Sequence, residues 1–396
     1  MQPFSIVEDE GFVEFVTGLN QSYKLPSRKT ITKSLLPAAY ETCYHRVATK
    51  LSSASTVCLT TDCWSSRNTE GYLAVTAHFI SEDFKINSVL LKCCSIDVSH
   101  TSANLASIIK EITDTFNLTD KVLIVVSDNA ANIKGAIINE LGWKHFGCYA
   151  HTLNLVVQNA LQHVKTLQEK VKLIVGHFKR SSIANEKLLA YQRNSGSTVP
   201  KKLKQEVPTR WNSTYYMLQR FVELESAVKT TIALINKDIP ILSESEWKTC
   251  KELCKILKPF EDVTVKLSAE KYVTASSIIV ITRGLQSLCS KLQKEDLVDC
   301  VRTVLNNLEN ELTSRLGNIE YSKTISISTF LDPRYKKLAF ADDKAAENTK
   351  KIVTEIITKQ LNEKINNSDQ LEETTSADHN NELSVWDEFD DLVRKA

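Results

Sequence analysis

No apolar run in this chain approaches the ~20 residues that cross a bilayer as a helix. The opening stretch, MQPFSIVEDEGFVEF, also lacks the basic-then-apolar layout of a secretory leader. The expectation is an intracellular protein with no membrane partner. No internal repeat is seen, which sets repeat architectures aside. Ten cysteines spread over 396 residues do not make the dense disulfide framework of a small secreted domain. Several of them (Cys58, Cys93, Cys94, Cys250, Cys254) sit in apolar segments, where reduced and buried thiols are expected. Charge of either sign is nearly balanced, at +1 overall, and that average argues against a polyanion partner.

The balance is uneven along the chain. From Lys165 to Arg210 there are eleven Lys or Arg against three Glu, whereas from Asn366 to Asp391 there are nine acids and no Lys or Arg. A basic middle and an acidic tail are compatible with local binding to a polyanion, and equally with a solvated helix face. With 42% hydrophobic and 24% charged residues the composition is that of a globular protein. The length allows two or three domains.

Residues 1 to about 50 read as helices with a turn at YKLPSRKTI. Three strand-like runs follow, VCLTTDCW, YLAVTAHFI and INSVLLKCCSIDV, with connections short enough to make them antiparallel neighbours. TSANLASIIKEITDTF has Leu105, Ile108, Ile109 and Ile112 on one helical face. KVLIVVSDNAANI is an apolar strand ending at Asp128, and HFGCYAHTLNLVVQNAL reads as a short strand feeding a helix. The predicted order is βββαβαβα, an α/β mixed sheet, followed by an all-α region. Helical spacing dominates from residue 165, for example at Trp247, Cys250, Cys254 and Leu257. The expected parts are a helical segment at 1–50, a sheet core at 51–164, a helical region at 165–365 and an acidic, partly disordered tail at 366–396.

Asp62, in LTTDCWSS, and Asp128 end the first and fourth strands. If the crossover helix returns the fourth strand beside the first, both carboxylates emerge at one sheet edge. Two close carboxylates repel unless they share a proton or a divalent cation. An all-oxygen donor set suits Mg²⁺ or Mn²⁺, which keeps waters and substrate phosphate in its remaining positions. Two unrelated strand-end acids are the competing reading. Cys148 and His151 form a C-x-x-H pair, but zinc wants four ligands and no second spaced pair stands out, so no structural zinc is expected. Arg210 and Trp211 open an amphipathic helix after Pro208. An arginine there can clamp phosphate and a tryptophan can stack on an unpaired base, whereas a buried tryptophan beside a surface arginine is the plainer alternative. Asp332, before Pro333, is expected to fix a turn between helices.

Taken together, LTTDCWSS, SDNAANI, GCYAHTLNLVVQ, PTRWNSTYYML and LDPRYKK, in this order and spacing, resemble the hAT transposase superfamily. The resemblance is closest to the zinc finger BED domain-containing proteins descended from such transposases. It implies an RNase H-like core interrupted by a large helical insertion, with DNA as partner, no small-molecule substrate and a nuclear location. It implies that Asp62 and Asp128 are the first two acids of a metal-holding triad, with Mg²⁺ or Mn²⁺ as cofactor. His151 then becomes a candidate DNA or active-site contact, with Cys148 packed at the helix start, and Arg210 and Trp211 a candidate grip on flanking DNA. The family's BED finger and its C-terminal dimerisation segment, which carries the third acid, are not found among these residues. The expectation is a truncated chain, inactive as it stands, that forms homo-oligomers when that segment is present. Asp97, expected to cap the helix near SHTSANL, and Glu261 are the substitutes considered for the third acid. The rival expectation is a domesticated nuclear DNA-binding or regulatory protein without catalysis.

Overall fold

The run VCLTT is apolar and β-branched, and it builds β1 (Val57–Ser65), burying Val57, Leu59 and Thr61 on one face. The Ser66 N–H donates to Glu70 O at 2.8 Å where the chain comes back as β2 (Gly71–Ile80), antiparallel from Cys58↔His78 to Ser65↔Gly71. β3 (Ile86–Ile96) pairs antiparallel with β2. These elements belong to a computed structural model that describes residues 2–66, 68–235, 239–268 and 274–372.

The Ser102–Thr115 helix comes next, and Leu105, Ile109 and Ile112 on one of its faces are fully buried. They join Leu59, Leu73, Val75 and Ala77 of the sheet in one apolar core. Thr101, rather than Asp97, caps this helix, its hydroxyl accepting the Asn104 N–H at 3.3 Å. The hydroxyl lies at the N-cap position itself, whereas Asp97 directly follows the end of β3. After the helix the chain returns as β4 (Val122–Ser127), parallel to β1. β5 (His145–Gly147) adds in parallel beside β4, giving the order β3-β2-β1-β4-β5. The strand and helix sequence is the βββαβαβα expected.

Beyond residue 164 the regular elements among the described residues are helical. The chain divides into two compact units. The larger takes the described residues within 1–272 and 289–315, so the sheet shares it with the first helices of the helical region. In it the Trp211–Glu223 and Glu244–Leu267 helices pack together, with Phe221 stacked on Trp247 at 4.5 Å and 4°. Ser243 and Glu246 close a reciprocal cap at the start of the second helix. The smaller unit takes the described residues within 273–288 and from 316 onward. There Asp332 receives a two-pronged bond from Arg334 at 2.7 and 2.9 Å, and Thr329 donates to Ser276 O at 2.9 Å. Asp332 thus fixes the turn after the Lys323–Leu331 helix, as expected. The acidic tail expected from residue 366 lies outside the described residues from 373 on.

Truncating Ile109 removes a fully buried side chain under the sheet. Ile109→Ala is expected to cost about 2–5 kcal/mol, read as a lower urea midpoint with unchanged slope.

Candidate catalytic and nucleic-acid site

The parallel register of β1 and β4 runs to Thr60↔Val126. Asp62 and Asp128 each lie two residues further along: Asp128 directly follows β4, whereas Asp62 lies within β1 rather than at its end as expected, because pairing with β2 carries β1 on to Ser65. Adjacent strands are about 4.8 Å apart, and crevices beyond the carboxyl ends of parallel strands are where such sheets bind ligands. β4 stops at Ser127 while β1 continues along β2 to Ser65, which leaves the carbonyl-end edge beside Asp62 open. Asp128 is held in its turn by the Ala130 N–H, which donates to its carboxylate at 3.2 Å. Ser127 gives its one hydroxyl proton to Asp128 O at 2.8 Å and meets His145 Nε2 at 2.9 Å. His145 is therefore the donor in that second bond, and loss of solvent lowers its pKa, which keeps it neutral.

Electrostatics gathers the predicted residues around Asp62. Loss of solvent, and next the charge of Asp128, raise the Asp62 carboxyl above its usual range. The Cys63 N–H, His151 and Arg210 pull the other way. The neighbouring Cys63 thiol is pushed up to about 11 by burial and then by the two aspartates. Three of the other four residues singled out in the sequence, Asp128, His151 and Arg210, thus act on Asp62. Among the described residues no third His, Cys, Asp or Glu completes a metal-holding group there or elsewhere. Glu261 is occupied instead in the helical region, accepting from Tyr216 Oη at 2.7 Å and Lys258 Nζ at 2.8 Å.

The Tyr149–Leu161 helix carries His151 into this site. Cys148 stands at its N-cap, partly buried, and its N–H donates to Ser127 O at 2.7 Å, which ties the helix start to β4. Gly147 allows the Asn129 amide to pack against the backbone, since a Cβ at 147 would collide with it. Asn129 in turn donates to Thr152 Oγ1 at 3.2 Å. One stripe of the helix, His151, Asn154 and Gln158, follows i, i+3, i+7 spacing. Asn154 accepts the Trp211 N–H at 3.0 Å and Gln158 donates to Pro208 O at 3.2 Å. These two amides anchor the loop that presents Arg210, which is exposed.

Trp211 departs from expectation. It is 2% exposed, so its ring packs in the helical core and offers no open face to a base. Its indole N–H finds no acceptor among the described residues. The open aromatic near the carboxylates is Trp64, 42% exposed, two residues beyond Asp62 on the same face of β1. Its ring stacks on Tyr72 at 5.7 Å and 14°, and Tyr72 Oη donates to Glu70 at 3.0 Å. Sequence reasoning missed Trp64, Asn154 and Gln158. The polar stripe in an otherwise apolar helix is the signal that finds the last two.

Two family models match the chain. Residues 60–146 match the ZBED1 RNase-like domain, and residues 146–256 match the ZBED1 RNase-like helical domain. The join falls within β5, where sheet gives way to helices. Human zinc finger BED domain-containing protein 4 is 26% identical over 90% of this chain and 31% of its own length. A putative AC transposase of maize is 30% identical over 85% of this chain and 43% of its own length. A putative transcriptional regulator, tpeD, of Talaromyces stipitatus is 27% identical over 70% of this chain and 38% of its own length. The chain therefore spans less than half the length of each of these relatives.

Losing the Asn154 acceptor strands the Trp211 N–H in a buried setting. Asn154→Ala is expected to cost about 1–3 kcal/mol, measured by thermal melting. It is also expected to raise the Asp62 carboxyl pKa further, measured by carboxyl NMR titration, because Arg210 then loses its fixed place.

Proposed function

The chain belongs to the hAT transposase-derived family, with an RNase H-like sheet and a helical insertion, and on that premise we propose that it is a DNA-handling core whose Asp62 and Asp128 hold divalent metal for strand cleavage and transfer in the nucleus. The observation that carries this reading is the placement of Asp62 and Asp128, each two residues past the last β1–β4 pair, at one sheet end. A carboxyl raised by lost solvent and by a second carboxylate is relieved by a cation between them. Both donors are oxygens, as Mg²⁺ and Mn²⁺ prefer, with water and phosphate completing the shell. Asp62 and Asp128 would hold such an ion, and the chemistry it would supply is Lewis-acid polarisation of phosphate and a lowered pKa for water.

The protein's own groups have separate tasks. Asp62 and Asp128 orient the ion. Arg210, on its anchored loop, takes a phosphate oxygen through its forked donors. His151 supplies a further polar contact at the same edge. Trp64 offers the accessible ring on which an unpaired base stacks, the task that the buried Trp211 does not perform. With two carboxylates and no third ligand among the described residues, a metal ion is weakly held. That observation favours a second reading, a DNA-binding regulatory protein that keeps the fold without the cleavage. The 396 residues alone are expected to leave supercoiled DNA unnicked with Mg²⁺ or Mn²⁺. Nicking that disappears in Asp62→Ala and Asp128→Ala restores the enzyme reading.

The pH dependence has a definite sign. Between the ordinary carboxylate range and its raised value, folded Asp62 keeps a proton that the unfolded chain has released. Stability therefore falls as pH rises through that window. At neutral pH Asp62→Asn is expected to raise the Tm, and Mn²⁺ to raise the Tm of the unaltered protein but not of this variant. Differential scanning calorimetry reads both, and an identical Mn²⁺ response in the variant removes Asp62 from the metal site. Separately, Trp64→Ala is expected to weaken binding of single-stranded DNA by about 1–3 kcal/mol, the value of one stacking platform, by fluorescence anisotropy. Trp211→Ala instead is expected to lower thermal stability.

A further inference from the structure

Eight of the eleven cations of the basic middle segment fall into two groups. Lys170 pairs with Glu246, Lys172 with Glu169 and Glu206, Arg193 with Glu186, and Lys201 with Glu223. Lys179, Arg180, Lys202 and Lys204 have no carboxylate partner among the described residues, and all four are exposed. These four line two adjoining hollows of about 340 and 280 Å³. The first is bordered by Lys179, Arg180 and Lys202, the second by Lys179, Lys204 and Tyr216, and both share Lys179 and Leu203. No Asp or Glu lines either hollow. Leu203 is buried between the two flanking lysines, which fixes the strand of chain that presents them. Lys204 lies over the Tyr216 ring at 5.2 Å.

The second hollow reaches Ser213, whose hydroxyl lies 2.6 Å from Arg210 O. The groove therefore ends at the loop that carries Arg210, and Arg210 acts electrostatically on Asp62. Four unneutralised cations in a concave surface repel one another and focus a positive potential there. We propose that this groove is a second DNA-binding surface, a track for the phosphates of duplex DNA that leads to the carboxylate site. It rests on the DNA-acting reading for the identity of the polyanion, and not on metal binding or cleavage. A phosphodiester backbone fits because it offers a row of single negative charges that the unpaired cations of the groove neutralise. The track contributes affinity and register, not base selection.

The test is equilibrium binding of a fluorescent duplex in EDTA, so that the metal site plays no part. Each phosphate contact contributes about 0.9 to the slope of log affinity against log salt. Lys179→Ala, Lys202→Ala and Lys204→Ala together are expected to lower that slope by about 2.7 relative to the unaltered protein. A control that removes three ion-paired lysines, Lys201→Ala, Lys251→Ala and Lys255→Ala, is expected to leave it unchanged. An unchanged slope in the groove variant overturns the proposal, as does an equal fall in the control. If the triple variant melts early, Lys204→Gln alone is expected to lower the slope by about 1, and no fall there likewise overturns it. An RNA duplex of equal length bound more tightly than the DNA overturns the choice of occupant. Loss of the Mn²⁺ response with the slope change intact separates failure of the catalytic reading from failure of this one.

Discussion

The parallel pairing of β1 with β4 is the constraint on which the rest depends. Once Thr60 faces Val126, two acids that are 66 positions apart in sequence must leave the sheet side by side. The pairing is secured on the other side of the sheet, where Leu59 and Val125 are buried with Ile109 and Ile112 in one core. A slip of one residue would send Asp62 to the core face, where an unpaired carboxylate is too costly to keep. Packing and charge therefore select the same register.

The second constraint is the reach of the helical region back to that sheet end. Arg210 is 148 residues from Asp62 in sequence, yet it acts on it because two side-chain amides of the Tyr149–Leu161 helix fasten its loop. The same helix begins at β5 with Cys148 bonded to β4. One rigid element thus fixes both His151 and the position from which Arg210 acts. This shared support explains why residues drawn from the sheet and from the insertion share one electrostatic neighbourhood.

Much of this was readable in the chain. Apolar, strand-like runs named the strands, short connections named the antiparallel pairs, and the intervening helix allowed the parallel return. Asp62 and Asp128 were found because an acid at the end of an apolar run is conspicuous. Trp211 was misread because an Arg-Trp pair at a helix start is the same sequence whether the ring faces solvent or core, and only packing against the second helix layer decides. Trp64 escaped notice because it closes VCLTTDCW, a run read as strand, and an apolar residue there has no local sign of exposure. Asp97 lost its capping role to Thr101, which lies closer to the helix in sequence and has its hydroxyl at the N-cap. The two units of the chain also cut across the sequence order, since residues 289–315 join the first unit, and no local pattern announces that.

The orphaned indole nitrogen of Trp211 has a bearing on how this surface tolerates change. Phenylalanine there would remove the unpaired donor but leave part of the indole volume unfilled, two effects of opposite sign on stability. The larger ring fills the core between the helices while its nitrogen goes unmatched among the described residues. A substitution at Trp211 is therefore read by this site as a trade between filled volume and an unmatched polar atom, not as a simple loss of either.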